Sequence, residues 1–390
     1  LLMHDNAHHC EDCEYIEYDD DSDSLLYIDS GDYSVCEDCY SDNYTSCYSC
    51  GNAHHYDNMY YCEHDENYYC ENCDRPYADS IHSYNYTPAP LHFYDYKGNK
   101  LVRVDNPTDV NLPFYGGELE VECMGGNKGE LADSITNYGG SYEKFAYCKN
   151  DGSLSDGFEV CFMPMTFHAI KNFNFQDAVL KYRGSSRLQS YNTSTCGIHI
   201  HINREAFSDH HLFKFISFVH EFKSLMYLIS QRKKTGELNN YARFNNGWKD
   251  RAKKEMVDTI KAKKRTMYSN RTINPNNPDK KKDPVKLHST AFYGEKYVPI
   301  NLQHKNTVEV RIFKGNLLEG SFRKNYEFVD ALYYFTRENP IYKLKAKEFV
   351  NHCTNEKKRY PNLNQFLADH SNRLQDILRF PLAVPEGLNY

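Results

Sequence analysis

The 390 residues contain one tryptophan, although 34 tyrosines and 22 phenylalanines surround it. The first 80 residues hold a single base, Arg75, and few Leu, Ile or Val. A segment so poor in aliphatic side chains cannot bury enough apolar area to fold unaided. Lacking bases, it would also be repelled by a phosphate backbone, which argues against nucleic-acid binding there. Long hydrophobic runs are missing too. The longest, Leu212 to Ile229, is interrupted by Lys214, His220, Glu221 and Lys223, so it reads as an amphipathic core helix, too polar to span a bilayer. No charged-then-apolar leader precedes the first cysteines, so no secretory signal is read. The sequence opens on Leu, and the native start is expected upstream.

The net charge of -8 hides a division. Residues 1–80 carry 21 Asp and Glu against Arg75, about -20; the rest carry 33 acids and 45 bases, about +12. Such opposite charge suits docking of the acidic part on the remainder of the chain, or on a basic partner. Nine of the 14 cysteines precede residue 74, and eight form C-x2-C pairs: Cys10/Cys13, Cys36/Cys39, Cys47/Cys50 and Cys70/Cys73. Two such turns complete a four-sulfur zinc site. Gaps of 22 residues (Cys13 to Cys36) and 19 residues (Cys50 to Cys70) predict a repeated unit with one zinc in each half. Cys62, His54, His55 and His64 are alternative ligands, and disulfides are the competing reading. Regular spacing favours zinc, which would supply the folding energy the missing core cannot. This layout resembles zinc ribbons or LIM-type double modules, although seven residues between Cys39 and Cys47 are not LIM-like. Cys123, Cys148, Cys161, Cys196 and Cys353 are scattered, as reduced cytosolic thiols are. Residues 81–112 read as a linker with a short hairpin around Lys97-Gly98-Asn99.

Three segments alternate cleanly. In Phe114–Glu122, Glu118, Glu120 and Glu122 share one strand face, and Leu119 and Val121 the other. In Cys196–Ile202, His199 and His201 oppose Ile198, Ile200 and Ile202. In Thr307–Phe313, Thr307, Glu309 and Arg311 oppose Val308, Val310 and Ile312. Taken singly, the first is also what a solvent-facing strand looks like, an isolated strand histidine is usually a surface or satisfied core residue, and Glu309 with Arg311 is also a plain cross-strand ion pair. Together they predict a sheet whose apolar face is covered by helices (171–182, 206–230 and 321–337) and whose other face collects carboxylates, imidazoles and a guanidinium. Crowded carboxylates need cations, and oxygen-rich ligation favours magnesium or manganese over zinc. Arg311 offers a planar fork for phosphate, which together with metal is what phosphoryl transfer needs. A fourth segment, Lys149–Leu154 followed by Gly157–Val160, adds a turn and Glu159.

In this order, FYGGELEVE (114–122), KNDGSL with GFEV (149–160), CGIHIHI (196–202) and NTVEVRIFKGNL (306–317) resemble the phage and bacterial amidoligase family. That family lies within the superfamily of glutamine synthetase and glutamate–cysteine ligase. The resemblance spans roughly residues 84–340 and implies an α+β fold: an antiparallel sheet curved around the cleft, with helices on one side. It divides the chain into a zinc-binding module (1–80), a linker (81–112) and a catalytic domain (113–390). It implies ATP and magnesium (or manganese), with Glu118, Glu120, Glu159, His199 and Glu309 as metal ligands, His201 near the nucleotide and Arg311 on the phosphates. Lys149, Asp151 and Ser153 would lie in a nucleotide or substrate turn, and Arg232 and Arg243 near a substrate carboxylate. The implied reaction joins a carboxylate to an amine through an acyl phosphate, in the cytoplasm of a bacterial host or phage-infected cell. The implied substrates are a carboxylate and an amine, the amine being that of a small amino acid, a peptide, a protein lysine or a cell-wall component. The basic run from Lys249 to Lys286 reads as a lid, a partner for the acidic module or, by default, a solvated loop. The rival readings are a metal-dependent hydrolase or nuclease, and an interaction protein with a degenerate catalytic domain.

Overall fold

The structure is a computed structural model that describes residues 7–13, 16–18, 25–28, 31–62, 66–70, 73, 81–107, 112–125, 127–138, 145–184, 187–232, 242–244, 254, 261 and 297–379. The basic run expected at 249–286 therefore falls outside the described residues, apart from Lys254 and Lys261.

The N-terminal part consists of short antiparallel hairpins: β1 (Ala7–His9) with β2 (Ile16–Tyr18), and β3 (Leu25–Ile28) with β4 (Tyr33–Cys36). After the short helix α1 (Glu37–Asn43) come β5 (Tyr44–Ser46) with β6 (Ala53–His55), and β7 (Met59–Cys62) with β8 (Asn67–Cys70). Two small clusters do the work of a core. One holds Cys10, Ile28, Val35, Tyr44 and Ala53; the other holds Cys47, Met59, Tyr69 and Cys70. Ligand-type sulfurs thus make up a good part of what is buried.

The rest is built on a ten-stranded sheet. Its strands are β9 (Ile81–His82), β10 (Tyr94–Lys97), β11 (Lys100–Arg103), β12 (Phe114–Cys123), β13 (Ala146–Lys149), β14 (Gly157–Thr166), β15 (Leu188–Gln189), β16 (Gly197–Asn203), β17 (Ile300–Asn301) and β18 (Thr307–Lys314). The spatial order is β11-β10-β14-β12-β16-β18-β17, with β13 and β9 attached beside β14, and β15 beside β12. The four central strands are antiparallel, as expected. The sheet as a whole is not: β10 pairs parallel with β14 at Tyr94↔Met165, and β9 pairs parallel with β13. These two strands reach the sheet from a separate stretch of chain rather than through a hairpin, so no tight turn dictates their direction. Nor do residues 81–112 merely run between two parts. The hairpin turns at Gly98 and Asn99, both at positive φ (57° and 61°), and Ile81, Tyr94 and Leu101 join the main core.

Helices α2 (Lys128–Thr136), α3 (Phe167–Asn172) and α4 (Phe175–Ala178) pack around the β13–β14 side. The apolar run near 206–230 forms α5 (Asp209–Glu221) and α6 (Lys223–Ser230), broken at Phe222. Ser208 starts α5 by accepting from the His211 N–H, the expected role for a serine at that boundary. Helix α7 (Glu319–Glu338) lies against β12, and α8 (Ala346–Asn355), α9 (Pro361–Asp369) and α10 (Ser371–Arg379) follow it. Only glycine fits at 117, where a Cβ would lie 2.1 Å from the Tyr326 hydroxyl of α7. Ile198, Ile200, Ile202, Val308, Val310, Ile312, Leu119 and Val121 are all fully buried on this face. The backing is therefore continuous under the site. Among the described residues, no helix is long and apolar enough to cross a membrane.

Candidate active site

Strand register brings the polar residues together. Glu118 of β12 lies between Cys161 of β14 and His199 of β16; Glu120 lies opposite Glu159, and His201 opposite Glu309 of β18. All project from the face that the helices leave open, because the neighbouring residues on each strand fill the core. The alternation read from the sequence is the alternation observed.

His199 sits at the centre. Its Nδ1 is 3.4 Å from Glu118 Oε2 and 3.5 Å from Glu309 Oε1, and its Nε2 is 3.7 Å from Glu120 Oε1. His201 turns Nε2 toward Glu118 Oε2 (3.4 Å) and Nδ1 toward Thr307 Oγ1 (3.2 Å). Lys149, at the end of β13, reaches Glu118 Oε1 at 3.3 Å and Glu159 Oε2 at 3.2 Å. Arg311 pairs with Glu309 and lies against the Tyr297 ring. Glu309 is fully buried, and Glu120, Glu159, His199 and Arg311 are nearly so.

Burial and charge pull these groups apart. Burial alone would protonate Glu118, but the imidazoles of His201 and His199 and the Lys149 ammonium hold its carboxyl well below the usual range. Glu309 is likewise held low against burial by His304 and Arg311. Glu159 goes the other way: burial and the Glu118 charge push it well above the ordinary value, and Lys149 offsets that only in part. Burial works against the Lys149 charge, but Glu118 and Glu159 keep it firmly protonated. Four carboxyl groups, Glu118, Glu120, Glu159 and Glu309, thus crowd a face where Lys149 and Arg311 make the ion pairs. Three sets of ligand atoms lie within 4.8 Å of one another: Glu118/His199/Glu309, Glu120/Glu159/His199 and Glu118/Glu159/Cys161. Sets dominated by carboxylate oxygen, already short of positive charge, suit a hard divalent cation.

The remaining expected residues divide. Asp151 and Ser153 lie in the turn after β13, where the Asp151 carboxylate accepts from the Ser153 N–H at 2.8 Å. Asp151 is half-buried and Ser153 exposed. Arg232 is buried beside the site, its Nε and Nη2 donating to the carbonyls of Ile312 (3.3 Å) and Phe313 (3.1 Å). Glycine at 197 lets it approach: a Cβ there would lie 3.0 Å from Arg232 Nη2 and 3.4 Å from Glu120 Oε2. Arg243 is exposed, and its N–H donates to the Tyr297 carbonyl. Glu122 leaves the cluster altogether and accepts from the Ser155 and Asp156 N–H groups and the Thr195 hydroxyl.

Three contributors were not expected. Asn301 Nδ2 donates to Glu309 Oε2 at 2.7 Å, and His304 Nε2 lies 3.3 Å from the same oxygen. The clue lay in the hairpin from β17 to β18, whose register sets Asn301 opposite Glu309. Cys161 is the third. The spacing that turns Glu159 inward also turns Cys161 inward two residues later. Burial and the Glu159 and Glu118 charges push its thiol well up, which keeps it a poor nucleophile.

In the N-terminal part, the sulfurs gather as two sequential sets, Cys10/Cys13/Cys36/Cys39 and Cys47/Cys50/Cys70/Cys73. Cys13 and Cys36 sulfurs are 3.7 Å apart, and Cys50 and Cys70 sulfurs 4.0 Å. A tetrahedron with Zn–S bonds of ~2.3 Å has edges of about 3.8 Å, whereas a disulfide spans ~2.05 Å. All the described cysteine side chains are free thiols. Burial opposes ionisation of Cys10 and Cys47, but backbone N–H groups directed at their sulfurs bring both down to about 6. Gly51, at φ +77°, completes the Cys47–Cys50 turn, with its N–H on the Cys47 carbonyl. His54 and His55 stand outside both sets; His64 and the Cys62 side chain fall outside the described residues.

Residues 177–333 match a family model described as "Putative amidoligase enzyme". The match takes in β16, β18 and the first part of α7, hence His199, His201, Arg232, Arg243, Glu309 and Arg311, and begins after β12, β13 and β14. No curated protein matches the sequence.

Proposed function

We propose that the sheet domain is an ATP- and magnesium-dependent ligase that joins a carboxylate to an amine. The observation that carries this reading is the convergence of Glu118, Glu120, Glu159, Glu309 and His199 beside Arg311 on one open face. The amidoligase similarity over 177–333 supplies the type of bond. Magnesium or manganese would be held by the Glu118/His199/Glu309 and Glu120/Glu159/His199 sets, where it would neutralise phosphate charge and polarise a phosphoryl oxygen. Glu118 and Glu309, held ionised, suit the binding of cations. Arg311 would direct its guanidinium to the nucleotide phosphates. The γ-phosphoryl of ATP passes to the substrate carboxylate and ADP leaves; the amine then attacks the acyl carbon, phosphate leaves, and the amine gives up a proton. Water must be kept from the acyl phosphate, a task that fits the deep burial of the ligand residues. Asp151 and Ser153 would border the nucleotide, and Arg232 and Arg243 the substrate carboxylate.

For the N-terminal module we propose one structural zinc in each four-cysteine set, on the strength of the sulfur spacing. Its acidity argues against nucleic acid as its partner and favours a basic protein surface. An ATP-consuming reaction beside free thiols fits the reducing cytoplasm of a bacterial or phage-infected cell.

The test is ADP release from the full chain with mixtures of carboxylates and amines. Release that needs ATP, magnesium, a carboxylate and an amine together is the expected result, and hydrolytic turnover without ATP refutes the ligase reading. Glu118→Ala should bind Mg-ATP about 10–100-fold more weakly; equal binding by parent and variant would show that the site is wrongly assigned.

A further inference from the structure

The three overlapping ligand sets are not equivalent. Two contain His199, while the third joins Glu118, Glu159 and the Cys161 sulfur. Only in the third does a single permanent cation bridge both carboxylates: Lys149 Nζ lies 3.3 Å from Glu118 Oε1 and 3.2 Å from Glu159 Oε2, whereas in the Glu118/His199/Glu309 set the carboxylates meet separate cations, Lys149 and Arg311. Register fixes it there, since Lys149 is opposite Glu159 in the β13–β14 ladder and Glu118 is opposite Cys161 in the β12–β14 ladder. The ammonium also lies 5.7 Å from the centre of the Tyr84 ring. Glu118 divides its oxygens accordingly. Oε1 faces Lys149, while Oε2 faces His199 and His201, each at 3.4 Å.

We propose that Lys149 is the resident cation of this centre. It holds the Glu118–Glu159 pair, so that divalent ions enter the two histidine-containing sets and are kept out of the thiol-containing one. This rests on the metal reading given above. A divalent ion takes carboxylate oxygens at ~2.1–2.6 Å, inside the space of an ammonium already in contact with the same two carboxylates. Two cations in contact with the same two carboxylates repel each other and cannot share that space. A lysine is suited to the role because its charge is compact and needs no coordination geometry. The arrangement leaves Glu118 Oε2 for the first histidine set. It also denies soft metals a mixed oxygen–sulfur position within the centre.

The experiment uses the full zinc-loaded chain and Mn²⁺ as the probe, counted by electron paramagnetic resonance of the free ion. Mn²⁺ competes poorly for thiolate sites, so the four-cysteine sets do not confuse the count. Lys149→Met should take up about one Mn²⁺ more per chain than the parent, and Lys149→Arg should match the parent. Equal uptake by the parent and Lys149→Met overturns the proposal. A parent that takes up no Mn²⁺ overturns the metal reading instead. A second measurement needs no variant: acetic anhydride labelling of the parent, read by mass spectrometry. Labelling of Lys149 should stay low and unchanged at saturating Mn²⁺. A rise would mean that the ion displaces the ammonium, and would overturn the proposal independently.

Discussion

The N-terminal module carries its sulfurs at the ends and turns of two-stranded hairpins and in the first turn of α1, whereas the sheet domain carries its carboxylates on strands backed by a continuous core. In the module Cys10, Cys47 and Cys70 are themselves among the few buried groups. On the zinc reading proposed above, removing the metal leaves little to hold the hairpins, which are marginal alone. In the domain the ligands sit on one face, and leucine, isoleucine and valine pack the other. There the scaffold stands whether or not the polar face is filled. On the two metal readings proposed above, the first region ties folding to its ligand, and the second separates the two.

Stripping the proposed zinc is the strongest way to break this comparison. Structural zinc in small modules is worth roughly 10–16 kcal/mol of apparent binding, most of it folding energy. Chelation of the full chain should abolish amide hydrogen-exchange protection in hairpins β3–β4, β5–β6 and β7–β8. Protection in β12, β16 and β18 should persist. Hairpins that stay protected after chelation would show that the module has a sufficient core of its own.

The domain's side of the comparison is tested behind the sheet. Asp330 of α7 is fully buried and accepts from the Tyr115 hydroxyl of β12 (2.7 Å), the Tyr360 hydroxyl (2.8 Å) and Arg359 Nε (2.9 Å). It ties the central strand to α7 and to the segment before α9, on the face away from the ligands. Asp330→Ala strands two buried hydroxyls and a cation, and should cost about 3–5 kcal/mol of domain stability. If ligand binding and scaffold are separable, Mn²⁺ uptake by the folded variant should match the parent. Uptake that falls with stability would show that they are coupled.

How much of this was legible follows the same division. Strict alternation in GELEVE, GIHIHI and TVEVRI placed the inward residues correctly, because a strand with an all-aliphatic face has one way to lie on a core. C-x2-C spacing grouped the sulfurs for a comparable local reason. Features that depend on what packs next to what were not legible. The parallel edge made by β10 and β9 is one. The seat of Arg232 beside Gly197 and the end of β18 is another, since it follows the helix break at Phe222 and the left-handed turn at Gln231 (φ 58°). The contact of Lys149 with Glu159 is a third, because nothing local to Lys-Asn-Asp-Gly reveals which residue stands beside it in the ladder.

Acid should separate the two regions by mechanism, with the smallest effect of the three. His211 of α5 is buried, and its Nε2 lies 3.0 Å from the Tyr333 carbonyl and 3.1 Å from Thr336 Oγ1. Burial lowers its pKa to about 4 from 6.5, helped by the nearby charges of Lys214 and Arg337 and opposed by the Tyr333 carbonyl. Between those values the unfolded chain binds a proton that the folded chain refuses. Stability is therefore complete above pH 6.5 and is lost as pH falls toward 4, by roughly 3 kcal/mol at most. His211→Gln keeps a donor for the Tyr333 carbonyl but cannot titrate, so the domain's unfolding midpoint in urea should fall less steeply over that range. Excess zinc should oppose acid in the module, where protons compete for Cys10 and Cys47. It should leave the domain's slope unchanged. A domain slope that responds to zinc, or that survives His211→Gln intact, would mean that the stability of the sheet domain is not set by its own core.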